Sequence, residues 1–313
     1  MLAEITITPW HWAGFIICVL IFLALDLGVF HRKSHVVKLK EAMAWTAVWF
    51  TVAMLFAAGL RHWKGQEHAA EFITGYIIEL SLSMDNVFVI ALLFTYFRVP
   101  SEHQHRILFW GIIGALVMRG VLIGVGAALV LHFHWVLYIF GAFLVFSGVK
   151  MFFAGEGGVE PENNFVVKLA RKFFPISATF EGRKFFTLLN GRRALTPLAL
   201  VLLVVETTDL VFALDSIPAI FSVTQKPFIV FTSNVFAILG LRSLYFVLAN
   251  AIEYFRLLKY GLAIVLVFTG VKMLAEKWVQ ISTNVSLVIV AGIIVISILL
   301  SVFARREHPP GSA

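Results

Sequence analysis

The sequence predicts an all-α, polytopic membrane protein with about nine transmembrane helices. Of its 313 residues, 60% are hydrophobic and only 14% are charged, and the mean hydropathy is +0.92. A soluble domain has about half apolar and about a quarter charged residues. Nine separate stretches approach the length of about 20 apolar residues that a bilayer-spanning helix needs. Three of these stretches recur later in the chain, which predicts an internal repeat.

The nine apolar stretches are joined by more polar connections. They cover residues 12–30, 44–60, 72–97, 107–130, 135–153, 197–221, 228–250, 257–275 and 285–304. No small-residue cleavage site follows the first stretch, so we interpret it as a retained anchor and not as a signal peptide. It contains Cys18, the only cysteine, which therefore forms no intrachain disulfide and indicates nothing about the redox compartment.

Positive charges alternate between the connections, and this predicts the topology. One set of connections, with the C-terminal end, carries 17 Lys and Arg residues, and the opposite set carries 4. Positively charged loops stay in the cytoplasm, so we expect the N-terminus outside and the C-terminus inside. An odd number of spans requires the same arrangement. The loops thereby account for the net charge of +7, and we expect no nucleic-acid partner.

Three short motifs recur in the same order, with separations that agree to within one residue. They are DNVF at 85–88 and DLVF at 209–212, MRG at 118–120 and LRS at 241–243, and FSGVKMF at 146–152 and FTGVKML at 268–274. Each copy holds three spans, an odd number, so the two copies must enter the membrane from opposite sides. Inverted repeats of this kind are typical of secondary transporters, whose binding site lies near the membrane midplane between the repeats.

The repeat divides the chain into five segments. Residues 1–70 hold the first two spans, 71–153 repeat one, 154–195 a cytoplasmic loop, 196–276 repeat two, and 277–313 the last span and a cytoplasmic tail. Within the loop, residues 163–174 place apolar and cationic side chains on opposite faces, which predicts an amphipathic helix on anionic lipid. Asn190 and Gly191 predict a turn.

Ionisable residues inside the repeats are the most informative feature of the sequence. A charged side chain at the bilayer centre costs at least ~2.5–3.5 kcal/mol. Five acids lie there, Glu79, Asp85, Glu206, Asp209 and Asp215, against two cations, Arg119 and Arg242. The excess of acid favours the binding of protons or of a metal cation. We expect the two arginines to pair with carboxylates and to compensate their charge when no metal is bound.

Helical spacing brings several of these residues to common faces. Glu79, Ser83 and Asn86 are spaced i, i+4 and i+7 and share one face, and Glu206 and Asp209 share another. Asp85 and Asp215 lie off these faces in ideal helices.

Pro218 predicts a break in the helix that carries Asp215. Proline has no N–H, and its ring collides with the carbonyl of the residue four positions earlier. Unwound backbone at 215–218, with Ser216, would expose oxygen atoms that can coordinate an ion. Ligands that are all oxygen favour Mg, Ca or Mn over thiophilic metals.

Several other polar residues have two readings. Asp26 lies near the cytoplasmic end of the first span, so solvation at the membrane interface and a functional role explain its presence equally well. Asn234 fits either an ion ligand or a helix–helix hydrogen bond, and Met84 fits packing better than metal binding. We expect the histidine pairs to lie in short solvated loops; they are His103 with His105, and His132 with His134. A single buried Glu–Arg pair could be structural, but five acids in a repeat favour function.

The acidic segments resemble those of the TerC family of membrane proteins, and most closely its Alx-type branch. The segments are LALDLGVFHRK at 23–33, ELSLSMDNVFV at 79–89, ETTDLVFALDSIPAIF at 206–221 and TSNVFAILGLRSLYF at 232–246. The resemblance implies export of divalent cations, chiefly manganese, across the bacterial cytoplasmic membrane. It also implies metal and proton sites in the two acidic motifs, at Glu79, Asp85, Asn86, Glu206, Asp209, Asp215 and Ser216. The family's tellurite-resistance label is read as a phenotype, since an anion would not be drawn to such a site.

We therefore expect a transporter that exports Mn²⁺ in exchange for protons, with the lipid bilayer around it and no permanently bound cofactor. Export of Ca²⁺ or another hard divalent cation is the alternative within transport. A non-transporting scaffold in metal or tellurite stress resistance is the alternative from another class. An intramembrane aspartyl protease is disfavoured because its glycine-x-glycine-aspartate signature is absent. The sequence predicts no oligomeric state.

Overall fold

Nine helices and one short hairpin make up the described part of the chain. The computed structural model describes residues 8–25, 39–133, 135–153, 168–169, 172–177, 182, 184–189, 192–249, 258–275, 277–279 and 281–306. The helices are α1 Pro9–Leu25, α2 Leu39–Lys64, α3 Gln66–Tyr96, α4 Ser101–His132, α5 Val136–Phe153, α6 Pro197–Phe221, α7 Pro227–Ala249, α8 Leu258–Ala275 and α9 Thr283–Arg306. The strands are β1 Phe186–Leu189 and β2 Arg192–Leu195.

The helices confirm the predicted all-α membrane fold. Among the described residues, seven helices are long and apolar enough to cross a membrane, and the apolar helix at Pro9–Ala24 is shorter. Most helices extend beyond the apolar stretches that predicted them: α3 begins at Gln66 and α4 at Ser101. The extension is expected, because intrahelical hydrogen bonds satisfy the backbone on either side of the lipid boundary as well as inside it.

The predicted break at Pro218 is wrong. Helix α6 continues through Pro218 to Phe221, and the N–H of Ser222 donates to the carbonyl of Pro218 at 3.1 Å. Pro218 lies in the last turn, so it removes one hydrogen bond close to the helix end and leaves only one further turn to distort. Unwound backbone at 215–218 therefore supplies no ligands here.

The two predicted repeats interlock. Helix α3 of the first copy packs against α7 of the second; their counterparts, α6 of the second copy and α4 of the first, pack against each other as well. The third helices of the copies, α5 and α8, form the most extensive helix–helix contact in the described part of the chain. When each helix is replaced by its counterpart in the other copy, the same three helix pairs are obtained. Two inverted copies would pack in this way, although the repeat itself stays a prediction.

Glycines allow the backbones of α5 and α8 to touch. A Cβ atom added at Gly270 would lie 2.6 Å from the carbonyl oxygen of Gly141, and one added at Gly148 would lie 2.7 Å from that of Ala263. In the register of the FSGVKMF and FTGVKML motifs, Gly148 corresponds to Gly270 and Gly141 to Ala263. The two close approaches are therefore counterparts, as a two-fold relation between the copies requires. Small residues at helix crossings are typical of membrane proteins.

The flanking helices cover the repeats. Helix α2 packs against α3 and α7, and α9 packs against α3 and α8. Helix α1 adds Phe15, Val19 and Leu23 to a buried cluster with Phe72 and Phe236. The central helix α7 is the most enclosed of the spans, with 94% of its apolar window buried. It is therefore surrounded by protein and not by lipid.

The segment before α6 contains a β-hairpin that the sequence did not predict. Strands β1 and β2 pair antiparallel, with Leu189 opposite Arg192. They flank the predicted turn at 190–191, which lies outside the described residues. Of the predicted amphipathic helix at 163–174, only 168–169 and 172–173 are described as helical. The hydroxyl of Thr196 donates to the carbonyl of Lys184 at 2.8 Å and caps the N-terminus of α6, which ties the hairpin to the helix.

Candidate cation site

A single buried arginine joins helices from both predicted repeats. Arg119, on α4, is 2% exposed and forms ion pairs with Glu79 of α3 and Asp209 of α6. Its Nε donates to Asp209 Oδ2 at 3.1 Å and its Nη2 donates to Asp209 Oδ1 at 2.9 Å. The planar guanidinium can bind one carboxylate with two donors and still reach a second carboxylate.

Amide and hydroxyl groups complete what we call the Arg119 cluster: Glu79, Asn86, Arg119, Asp209 and Ser216. The Asn86 amide donates to Asp209 Oδ1 at 2.6 Å, and Arg119 Nη1 lies 3.4 Å from Ser216 Oγ. All five residues are buried. They lie where they do because Glu79 and Asn86 share the face of α3 that the spacing predicted, and Asp209 and Ser216 are seven residues apart on α6.

The cluster retains acceptor capacity that no described residue uses. Oε2 of Glu79 and Oδ1 of Asn86 are buried and accept no hydrogen bond from the described part of the chain. Ser83, one turn after Glu79, donates to the other Glu79 oxygen at 3.5 Å. Leaving a buried acceptor unpaired costs about 1–3 kcal/mol. Both oxygens are therefore available to accept a further hydrogen bond or to bind a cation.

Glu206 lies beside this cluster, and no described Lys or Arg residue forms an ion pair with it. It is half-buried, its Oε2 accepts no hydrogen bond from the described residues, and the neighbouring Asp209 carboxylate repels it. Its carboxylate rests against Gly114 of α4. Glu206 and Asp209 therefore both face α4, on the shared helix face that the spacing predicted.

Asp215 is not part of the cluster. Its carboxylate accepts a hydrogen bond from Ser147 of α5 at 2.7 Å, and the ammonium of Lys150 is near enough to interact with it electrostatically. Asp215 is half-buried and faces α5, whereas Asp209 and Glu206 face α4. The predicted ligands on α6 thus divide between two sides of one helix, because α6 continues through Pro218 instead of unwinding there.

The remaining predicted residues fall in other positions. Arg242 is buried in α7. Asn234, also in α7, is buried with neither amide atom hydrogen-bonded to the described residues. The backbone of Asp85 belongs to α3, but its side chain lies outside the described part of the structure, as does all of Asp26.

The described side chains do not assemble a metal centre. Within the described ranges, no group of three or more His, Cys, Asp or Glu residues is arranged to hold a metal ion. The physical reason is visible in the Arg119 cluster, where the guanidinium stands between Glu79 and Asp209. The structure therefore presents the two acids with their charge partly compensated by one guanidinium.

The histidine prediction is wrong for one pair. His103 and His105 lie in the first turns of α4, and His103 is buried. Helix α4 begins at Ser101, earlier than the apolar stretch that predicted it, and so includes both residues. His132, at the other end of α4, is exposed as expected, and His134 lies outside the described residues.

Three polar features were not identified from the sequence. Ser147 contacts Asp215, and Gly114 contacts Glu206. Serine and glycine are common residue types in membrane spans, so neither residue stood out in the sequence. The third is a buried carboxylate on α3, Glu71, which lies 3.0 and 3.1 Å from Nζ of Lys226 in the α6–α7 connection. The sequence could have indicated this ion pair through its charges, since Lys226 is the only cation of the α6–α7 connection.

The fold and the buried charge cluster define a polytopic α-helical membrane protein with ionisable groups in its interior. The profile described as the integral membrane protein TerC family matches residues 64–308. The chain belongs to the TerC family.

Relatives in several bacteria align with almost the whole chain. An uncharacterized membrane protein of Myxococcus xanthus is 52% identical over 307 residues, which is 98% of this chain and 96% of that protein. The Alx protein of Escherichia coli K12 is 46% identical over 310 residues, 96% of this chain and 97% of that protein; its descriptive name proposes a membrane-bound redox modulator. A membrane protein of Rickettsia bellii is 38% identical over 295 residues, 94% and 98% of the two chains. No solved structure matches this chain.

Proposed function

We propose that the protein is a secondary transporter that exports Mn²⁺ from the cytoplasm across the bacterial cytoplasmic membrane in exchange for protons. The observation that carries the proposal is the Arg119 cluster, in which buried carboxylates from α3 and α6 meet a guanidinium from α4. Intramembrane acids that are paired with one another or with Arg mark ion and proton pathways in membrane proteins. The meeting point of two inverted repeats is also where secondary transporters bind their substrate.

The chemistry of the cluster suits a hard divalent cation. Its donors are carboxylate, amide and hydroxyl oxygens, which bind Mg, Ca and Mn in preference to thiophilic metals. Two of these oxygens, on Glu79 and Asn86, accept no hydrogen bond from the described residues. Mn²⁺ is preferred to Ca²⁺ because the TerC family resemblance implies it; the donor set itself accommodates either ion.

Arg119 provides the means of returning the carrier without metal. A guanidinium that binds Glu79 and Asp209 offsets one of two negative charges that would otherwise both be buried without compensation. A divalent cation at the same oxygens would take its place. In the proposed cycle, Arg119 and the metal are alternative partners of the two carboxylates, and protons on neighbouring acids balance the remaining charge.

The name of the Escherichia coli relative favours a redox role as a second candidate. Cys18 is the only cysteine of this chain, so no dithiol–disulfide chemistry is available within it. A redox effect would then follow indirectly, through the concentration of a redox-active metal in the cytoplasm. A scaffold without transport activity is the other candidate, and it leaves the unpaired oxygens of Glu79 and Asn86 without a role.

Metal accumulation distinguishes these candidates. In cells loaded with Mn²⁺, expression of the protein should lower cytoplasmic manganese, and Asp209→Asn should abolish that effect at equal membrane level. Glu71→Gln is the matched control, because Glu71 is also a buried, ion-paired acid of a spanning helix but lies outside the cluster. The same measurement with Ca²⁺ tests the alternative cargo. Unchanged manganese with the wild-type protein would contradict Mn²⁺ export.

A further inference from the structure

Gly114 provides the space that the Glu206 side chain occupies. A Cβ atom built on Gly114 would overlap all three terminal atoms of Glu206, namely Cδ and both carboxylate oxygens. No other atom is among the three nearest to that Cβ position. The Glu206 carboxylate thus lies directly against the backbone of α4 at Gly114. Gly114 precedes Arg119 on this helix by five residues.

This position matters because Glu206, among the described acids of the site, has no cationic partner in the described part of the chain. The donors of Arg119 that reach carboxylates are directed to Glu79 and Asp209. Glu206 forms no ion pair with any described residue, and Asp209, one turn later on α6, repels it. A small displacement of its carboxylate would therefore change the arrangement of negative charge that an arriving cation meets.

We propose that Gly114 is a positioning residue whose missing side chain seats the carboxylate of Glu206 beside the Arg119 cluster. The inference rests on the proposed function, because it assigns Glu206 a part in cation binding. Its structural half, the contact between Gly114 and Glu206, stands independently of that function.

Two alanine variants of α4 test whether Gly114 positions the Glu206 carboxylate. Gly114→Ala is expected to raise the half-saturating Mn²⁺ concentration for efflux by about tenfold or more, since misplacement of a functional group by about 1 Å can cost that much. Gly124→Ala is the matched control, because a Cβ there has no atom within 4 Å. It makes the same substitution in α4 and should leave the half-saturating concentration unchanged. Equal behaviour of the two variants would overturn the proposal.

A shortened acid tests whether Gly114 acts through Glu206. Glu206→Asp withdraws the carboxylate by one methylene, so the new methyl group of Gly114→Ala no longer meets it. The double variant should then resemble Glu206→Asp alone, and the two effects should be strongly non-additive, as expected for residues in contact. Additive effects would mean that Gly114 acts through another neighbour, which would overturn the proposal.

Membrane insertion and thermal unfolding separate this inference from the transport proposal. Gly114→Ala alone could insert poorly. In that case the double variant Gly114→Ala with Glu206→Ala should insert as well as Glu206→Ala does. Poorer insertion of the double variant would overturn the proposed contact between Gly114 and Glu206. In purified protein without Mn²⁺, Gly114→Ala should lower the melting temperature only when Glu206 is present. If the wild type exports no Mn²⁺, the proposed function fails, and this metal-free measurement still decides whether the contact exists.

Discussion

At the scale of single residues, Arg119 determines the state of the site. It supplies one positive charge to two buried carboxylates and so offsets their charge in part, and breaking a buried ion pair costs about 3–5 kcal/mol. The sequence predicted the role from charge balance alone. It did not predict that one guanidinium would serve both Glu79 and Asp209, which requires the approach of α3, α4 and α6.

Replacement of Arg119 should separate metal binding from transport. In Arg119→Gln, Mn²⁺ no longer competes with a guanidinium, so purified protein should be stabilised more by Mn²⁺ than the wild type is. Efflux should nevertheless fall, because the metal-free carrier holds uncompensated acids. Arg119→Lys keeps the charge but not the bidentate geometry and should recover efflux only in part.

The measurements for Arg119 are Mn²⁺-dependent melting temperature, efflux and membrane level, made on the same variants. Neutralising a partner, as in Arg119→Gln with Glu79→Gln, should partly restore the membrane level. Wild-type efflux in Arg119→Gln would exclude charge compensation by this residue.

Asp215 should behave differently from Asp209, because it faces α5 and hydrogen-bonds to Ser147 instead of entering the Arg119 cluster. Asp215→Asn keeps a group that can hydrogen-bond to Ser147 and removes the charge. We expect efflux to fall while Mn²⁺ binding, measured by calorimetry on purified protein, stays close to that of the wild type. Asp209→Asn should lose both. Equal loss of binding in the two variants would place Asp215 among the metal ligands.

At the scale of helices, the register of the predicted repeat pairs each helix of one copy with a counterpart in the other. It relates Asp209 and Arg119 of one helix pair to Asp85 and Arg242 of the other, and the corresponding helix pairs, α6 with α4 and α3 with α7, are in contact. The sequence register therefore predicts a second acid–arginine combination.

This register predicts that Asp85 and Arg242 are functionally coupled. Arg242→Gln should reduce efflux, and adding Asp85→Asn should produce less than the sum of the two single losses. Arg242→Gln combined with Glu71→Gln is the control, because Glu71 has Lys226 as its partner. Additive losses in the Asp85 combination would argue against equivalence of the two halves.

The crossing of α5 and α8 should be sensitive to a single methyl group. Gly270→Ala would bring a Cβ to 2.6 Å from the Gly141 oxygen and 2.8 Å from the Val145 nitrogen, and both are backbone atoms that cannot rotate away. Overpacking of this kind costs about 1–3 kcal/mol, so the melting temperature should fall. Gly292→Ala, in α9 with no atom within 4 Å, should leave the melting temperature unchanged. Equal melting temperatures would mean that the crossing can widen freely.

At the scale of the whole molecule, loop charge predicts the orientation. The 17-to-4 division of Lys and Arg residues between the two sets of connections predicts that the 154–195 loop lies in the cytoplasm. A cysteine introduced near Asn163, in a Cys18→Ala background, should react with a membrane-impermeant maleimide only after the cells are opened. A cysteine at Gln66, the first residue of α3 after the α2–α3 connection, should react in intact cells. Labelling in the reverse order would invert the topology.

Composition and periodicity by themselves determined the membrane fold and the positions of the spans. They succeed because a helix in lipid must be apolar over a fixed length and must satisfy its backbone internally. The same physics identified the acids, since charge inside a span is rare enough to be informative. Spacing along one helix also placed Glu79 with Asn86, and Glu206 with Asp209.

Tertiary packing alone decided which of these residues meet. Asp209 and Asp215 are equally acidic and equally internal in sequence, yet one faces α4 and Arg119 and the other faces α5 and Ser147. That division depends on the rotation of α6 among its neighbours and on its continuation through Pro218, neither of which a local pattern encodes. The contact between Gly114 and Glu206 also cannot be predicted from the sequence. The side chain that fills the space beside a glycine is determined only when the neighbouring helix packs against it.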